Sequence, residues 1–543
     1  MIPSPPLSPA AVPPLPVPVP RQKQDADYVF FELTRSICPE CRRVIDAHIL
    51  LRDNKVYMRK RCPEHGTFEG LVYGDAQAYT SASRFNKPGT IPLEFTTPIK
   101  DGCPHDCGLC PDHQQHACLG IIEVNSACNM DCPLCFANAG AGFNLTLAEV
   151  EGILDHLVAT EGNPEVVQFS GGEPSIHPQI IPMIRAAKAR GIRYVMLNTN
   201  GKRIAEDDAF LAELNEVRPS IYFQFDGFES ATYERLRGEA DILPKKLRAL
   251  DRLAEIGLGV VLVPAIDREV NLHEVGAIVQ FAIKHPAVHG INFQPAFMSG
   301  RHGTHDPMTR LTIPDIVQAM AAQTEGMFTP QDFVPVPCCF PTCNSVTYAL
   351  VDGDNVLPLP RLVNVEDYLD YITNRVVPDL AGDIKTALEG LWSSSAVPGT
   401  DKAAQQFALS CEACGIPEAL DMGAFAKQVF MIMLQDFMDP WTFNQKNLMK
   451  CCKEILLPDG KQIPFCAYNN VGYREQARTQ LEARERKRNQ ARRAGTAFIP
   501  EPLTFDFTPK RPTSGHSPTP LLHVLPKKAR ATVKKAVVDG PRH

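Results

Sequence analysis

The sequence has little that would tie it to a membrane or to nucleic acid. No apolar run among its 543 residues approaches the length of about 18 that crosses a bilayer, so no membrane-spanning helix is expected. An excess of basic charge is also missing: 55 Lys+Arg against 62 Asp+Glu give −7, which exerts no general pull on polyanions. The first twenty residues hold nine prolines and no Lys before Arg21, so a secretory leader is not expected. A cytoplasmic location follows as the expectation, and in a reducing compartment a disulfide scaffold is disfavoured. What the chain does have is 18 cysteines, which then read as metal ligands. With 44% apolar and 22% charged residues it can bury a large core, and its length suggests several domains.

Composition divides the chain. Residues 1–24 are a proline-rich extended tail. Residues 25–100 form a small metal-binding unit with cysteines near both ends of its core, and residues 101–118 are a cysteine-dense segment. Residues 119–329 alternate apolar strands with helical patterns, and residues 330–473 bring eight more cysteines and read as a separate C-terminal domain. Residues 474–543 carry 16 Lys+Arg against 6 Asp+Glu and read as a basic, largely disordered tail, with a solvated helix over 475–493. Such a tail admits contact with nucleic acid or an anionic membrane surface, though a merely soluble tail is the first reading and no clear nucleic-acid binding is expected.

In the middle region the strands are expected at Leu119–Val124, Val166–Phe169, Tyr194–Leu197, Ile221–Phe225, Val260–Val263 and Ile291–Phe293. Helices fall between them, one opened by Thr146 with Glu149 three residues on, a capping-box pattern. Repeated βα units imply an α/β fold with a parallel sheet or barrel.

Cys128-Asn-Met-Asp-Cys132-Pro-Leu-Cys135 directly follows the first strand. Three thiolates on one short loop can hold three irons of a [4Fe–4S] cubane and leave the fourth open to a ligand; a zinc loop fits three close thiolates less well. Ser170-Gly171-Gly172-Glu173-Pro174 follows the second strand, where the glycines permit close backbone approach and Glu173 can accept from a ligand ammonium. Asn198, Gln224, Asp226, Asn292 and Gln294 mark later strand ends, the ligand face of parallel barrels.

With these motifs the chain resembles the radical S-adenosylmethionine (SAM) superfamily over about residues 120–297. The resemblance implies a partial (βα)6 barrel. It makes Cys128, Cys132 and Cys135 the ligands of a SAM-binding cluster, Gly171, Gly172 and Glu173 the holders of the methionyl amine, and Asn198, Gln224 and Asp226 candidates for ribose contacts.

Three further cysteine groups flank the barrel. Cys103, Cys107 and Cys110 repeat the CX3CX2C spacing, and Cys118 supplies a fourth thiolate, which suits a closed auxiliary cluster or a zinc site. Cys38, Cys41, Cys62 and His65 form two knuckles able to wrap one tetrahedral zinc or iron. In the C-terminal region Cys338, Cys343, Cys451 and Cys466 are the expected ligands of a second auxiliary cluster, chosen from a set that also holds Cys339, Cys411, Cys414 and Cys452.

The combined pattern CPEC…CPEHG, DGCPHDCGLCPDHQQHAC, CNMDCPLCFA, VPCCFPTC and CCKEILLPDGKQIPFCAYN resembles the archaeal tetraether lipid synthase family, members of which are also described as pterin methyltransferases. It departs at Lys453-Glu454, where that family is expected to carry a histidine near the paired cysteines. The resemblance implies three [4Fe–4S] clusters, a mononuclear rubredoxin-like iron, reductive cleavage of SAM to a 5′-deoxyadenosyl radical, and hydrogen abstraction from an unactivated C–H bond. It points first to C–C coupling of lipid chains, with methylation of a pterin or other small molecule as the alternative. An electron donor such as ferredoxin or flavodoxin is implied. A non-catalytic iron–sulfur carrier is the remaining reading. Met422, Met431, Met433 and Met438 suit an apolar pocket or a buried helix.

Overall fold

The computed structural model describes residues 25–302, 306–337, 339–353, 355–361 and 429–507. Cys338, Cys411, Cys414 and Met422, and both the proline-rich tail and residues 508–543, lie outside the described residues.

Four antiparallel strands open the chain: β1 (Val29–Ile37), β2 (Val44–Arg52), β3 (Lys55–Cys62) and β4 (Gly66–Tyr73), paired in that order, followed by α1 (Ala76–Ala82). The alternating units come next. They run β5 (Leu119–Asn125), α2 (Leu147–Glu161), β6 (Val166–Gly171), α3 (Ile180–Ala189), β7 (Tyr194–Thr199), α4 (Lys202–Glu206), α5 (Asp208–Val217), β8 (Ser220–Gln224), α6 (Ser230–Arg237), α7 (Leu243–Glu255), β9 (Val260–Val263), β10 (Ala265–Ile266), α8 (Val275–Lys284) and β11 (Val288–Pro295). The Thr146–Glu149 capping box is formed as expected. Then follow α9 (Ile313–Gln323), β12 (Val334–Pro335), β13 (Asn344–Asp352), β14 (Asn355–Pro358), β15 (Val429–Gln435), α10 (Gln445–Met449), β16 (Lys453–Leu456), β17 (Gln462–Pro464), α11 (Phe465–Asn470) and α12 (Tyr473–Ala494).

The six expected strands pair in parallel in the order β5, β6, β7, β8, β9, β11. The C-terminal region is not a separate domain, because its strands extend this same sheet at both edges. β15 adds in parallel to β11, β16 adds in parallel to β5, and β13 and β17 close the flanks antiparallel. The two flanks meet where Lys453 Nζ donates to Asn344 Oδ1 at 2.6 Å. The methionine run is strand rather than helix: Met431 and Met433 lie on β15, and Met438 follows it.

Nor is the start of the basic tail a solvated helix. α12 buries Tyr473, Arg474, Ala477, Leu481 and Arg484, and the chain returns along it to set Phe505 and Phe507 edge-on against Tyr473. A salt bridge from Arg474 to Glu123 on β5, at 2.5 Å, pins the helix to the barrel.

Alternation within the strands decides what faces inward. Val167 and Phe169, Val195 and Leu197, Ile221 and Phe223, Ile291 and Phe293 are buried under the helices. Their neighbours Gln168 and Ser170, Asn198, Tyr222 and Gln224, and Gln294 line the interior. The barrel therefore turns a set of polar side chains inward, into a channel that Ile121, Val263 and Ile455 also line.

Candidate functional site

The CX3CX2C loop leaves β5 at the mouth of that channel. Cys128, Cys132 and Cys135 pack together around Met130, Tyr233, Ile242 and Leu243. The loop is held from three sides. Asn200 Nδ2 donates to Asn129 Oδ1 at 2.7 Å; Leu134 N donates to Leu236 O at 3.1 Å; and Arg301, whose backbone N donates to Cys135 O at 3.0 Å, reaches Asp131, Cys132 O and Ala139 O with its guanidinium. Burial pushes the Cys128 thiol up to about 12. Three converging thiols beside the cationic Arg237 and Lys246 fit an anionic cubane.

The two glycines of the GGEP turn do more for the protein than for a ligand. Gly172 N donates to Asn125 O at 2.9 Å and Glu173 N to Ala127 O at 2.8 Å, joining this turn to the cysteine loop. Gly171 has φ +127°, and a Cβ there would lie 2.2 Å from Asn125 O; one on Gly172 would lie 2.1 Å from Ala127 O. Glu173 is buried and accepts from Ser175 N (3.0 Å), Thr199 Oγ1 (2.8 Å) and Asn200 N (2.7 Å). Burial raises its carboxyl above the usual range against the pull of those donors. Beside the pair, Asn125 Oδ1 is buried without a hydrogen-bond partner among the described residues, an acceptor suited to an ammonium. The donor set thus fits SAM next to the cysteine loop.

Of the expected ribose contacts, Asn198 and Gln224 line the cavity. Asn198 Nδ2 donates to Ser170 Oγ at 3.2 Å, and the Gln224 amide oxygen accepts from Lys246 Nζ at 3.2 Å. Asp226 departs from expectation. It is fully buried, and both its oxygens are taken by Arg237, which is the residue that lines the cavity. The sequence reading missed Arg237 and Tyr222. Arg237 has no local signal, since its partner is eleven residues away; Tyr222 is legible from the strand alternation.

The cavity holds about 140 Å³. Phe136, Phe297, Phe437 and Phe465 form one wall, with ring centroids 4.5–6.0 Å apart along the chain of contacts. Its polar lining includes Gln168, Asn198, Tyr222, Gln224, Gln294 and Gln435, with Glu123 and Arg237 as charged members. Met431, Met433 and Met438 do not line it.

In the N-terminal sheet, the ligand atoms of Cys38, Cys41, Cys62 and His65 lie within 4.8 Å of one another. The separations of Cys38 and Cys62 sulfur from His65 Nδ1 are 3.7 and 3.4 Å, and Cys41 and Cys62 sulfurs are 3.9 Å apart. A tetrahedron with Zn–S bonds of about 2.3 Å has edges of about 3.8 Å. The three-thiol, one-imidazole set also favours zinc over a four-thiolate iron site.

The remaining cysteines group differently from expectation. The Cys107 thiol is raised by hydrogen bonding to Cys103 and by burial, and Cys110 interacts with Cys103. Cys118 instead packs with Cys339, Cys343 and Cys452, with its sulfur 3.3 Å from His116 Nε2. Cys343 is within electrostatic reach of Cys339 and Cys466, and Cys451 of Cys466 and Cys343.

Comparison with known proteins places this geometry. Residues 122–282 match the radical SAM superfamily, and residues 30–74 match the HMPTM N-terminal zinc ribbon domain. The 7,8-dihydro-6-hydroxymethylpterin dimethyltransferase of Methanocaldococcus jannaschii is 33% identical over 478 residues, 81% of this chain and 94% of that protein. The chain belongs to this pterin dimethyltransferase family of radical SAM enzymes. The Fe-coproporphyrin III synthase of Methanosarcina barkeri is 33% identical over 162 residues, 29% of this chain and 39% of that protein. Among solved structures, SuiB of Streptococcus suis bound to S-adenosylmethionine aligns with a TM-score of 0.33 at 15% identity, covering 39% of this chain and 47% of that one. The superfamily implies SAM and a [4Fe–4S] cluster, and the zinc ribbon of the dimethyltransferase family implies a metal at its cysteine group. Among the described residues no helix is long and apolar enough to cross a membrane.

Proposed function

We propose that the protein is a radical SAM methylase of a pterin-type ring held in the barrel cavity. The observation that carries this reading is the cavity's lining, which combines amides and a phenol with four phenylalanines. A flat heteroaromatic ring stacks on the phenylalanines and pairs with Tyr222, Gln294 and Gln435. An alkyl chain offers these polar side chains no hydrogen bond beyond those they make with one another. Lipid coupling, the first expectation, therefore yields to the methylation reading, and the M. jannaschii enzyme's name supports the same substrate class.

In this reading Cys128, Cys132 and Cys135 hold the cluster. Gly171, Gly172 and Glu173, with Asn125 Oδ1, hold the methionyl end of SAM, and Asn198 and Gln224 face its ribose. Cluster and SAM, when bound, supply one-electron cleavage of the sulfonium C–S bond and radical hydrogen abstraction. Arg237 and Arg301 fix the loop, and the phenylalanine wall keeps water from the reacting carbon. We assign Cys38, Cys41, Cys62 and His65 to zinc, Cys103, Cys107 and Cys110 to one auxiliary site, and the group around Cys118, Cys339, Cys343, Cys451, Cys452 and Cys466 to another. A low-potential carrier such as ferredoxin or flavodoxin would feed them.

Anaerobic incubation with SAM, reductant and 7,8-dihydro-6-hydroxymethylpterin, followed by mass spectrometry, tests this. A gain of about 14 mass units per methyl group is expected. An unchanged pterin in the presence of a methyl donor, with coupled alkyl chains formed from lipid instead, would overturn it.

A further inference from the structure

Tyr222 sits on β8 with its ring turned into the barrel cavity. Its phenol oxygen accepts from Asn292 Nδ2 and, at 2.9 Å, from Gln294 Nε2. These two donors are two residues apart on β11 and so share a face. Asn292 Nδ2 also donates to Gln435 Oε1 at 3.2 Å, in the same arrangement. The Asn292 Oδ1 is buried without a partner among the described residues. A phenol has two acceptor lone pairs and one hydrogen to donate. Both lone pairs are occupied by amides. The hydrogen therefore points to an acceptor that the protein does not supply among the described residues.

Gln294 completes the pattern. Its Nε2 is held by the phenol and the side chain lines the same cavity, which leaves its Oε1 as the acceptor next to that bond. Donor and acceptor thus stand side by side, the complement of a cyclic amide, which shows a carbonyl next to an N–H. We propose that Tyr222 O–H, with Gln294 Oε1 beside it, reads the oxo edge of the substrate's fused pyrimidinone ring and selects it over a ring bearing an amino group there. This rests on the pterin reading above and adds to it the residue that sets specificity. An amino group at that position would face the phenol donor to donor, and a site built for one polar pattern rejects the other strongly.

The test is equilibrium binding to the full-length protein, followed by pterin fluorescence, with two ligands: 7,8-dihydro-6-hydroxymethylpterin and its 2,4-diamino counterpart. The wild type should bind the oxo ligand at least about tenfold more tightly. Tyr222→Phe should weaken the oxo ligand by about tenfold and leave the diamino ligand within about twofold. Equal affinity of the wild type for the two ligands overturns the inference without need of the variant. So does a Tyr222→Phe protein that melts like the wild type and keeps its discrimination. Binding of neither ligand by the wild type overturns the pterin reading itself.

Discussion

Arg237 Nε and Nη2 donate to the two carboxylate oxygens of Asp226, at 2.7 and 2.6 Å. This buried fork ties the end of α6 to the segment after β8, and Arg237 Nη1 extends it to Leu134 O in the cysteine loop at 3.4 Å. Removing one partner of such a pair strands a buried charge, at about 3–5 kcal/mol. Asp226→Ala is expected to lose that stability and most of its cluster iron. Asp226→Ala combined with Arg237→Leu should be less destabilised than Asp226→Ala alone. Melting curves and iron content check both statements; additive losses would contradict them.

The glycine pair predicts a steric failure. Gly172→Ala places a Cβ 2.1 Å from Ala127 O, and neither backbone can yield without moving the cysteine loop. The variant should fold, since the barrel shell is untouched, yet show a weakened or absent [4Fe–4S] signal in electron paramagnetic resonance after reconstitution. A signal of wild-type intensity would contradict the loop-to-loop role.

Lys246 gives a pH dependence. Its Nζ is buried against Asn200 O and Gln224 O, and burial lowers its ammonium from the usual range to about 8. The folded protein therefore holds fewer protons than the unfolded chain between about pH 8 and 10.5. The contribution of this group is fully present above the unfolded value and is lost as pH falls through the folded one. Stability should thus gain up to roughly 3 kcal/mol from this group across that window. Lys246→Met should flatten this rise, measured by urea unfolding at pH 7.5 and 10.

The ribbon predicts one zinc per chain by elemental analysis. Cys62→Ser should lose it and loosen the first four strands. The Cys62 thiol is disposed to bind: burial alone would raise it, but hydrogen bonds from His65 and the backbone of Glu64 carry it down to about 7.

Much of this was legible in the sequence. The six barrel strands and the two loops that carry the cysteine and GGEP motifs were readable because βα units leave a strong apolar period and short motifs lie within one loop. What was not readable depends on distance along the chain. β15 and β16 join the sheet from more than 100 residues away, and Cys118 finds Cys339 and Cys452 rather than Cys103. Asp226 illustrates the same limit in one residue: a polar strand-end carboxylate reads as a ligand contact until Arg237 is seen to occupy it.

The most direct test is whether the pterin and the cysteine loop act together. Anaerobic protein given SAM and dithionite should release 5′-deoxyadenosine, faster when 7,8-dihydro-6-hydroxymethylpterin is present, and Cys128→Ala should release none with or without it. Release of 5′-deoxyadenosine by Cys128→Ala at the wild-type rate, or a wild type that cleaves no SAM with the pterin bound, would contradict the account.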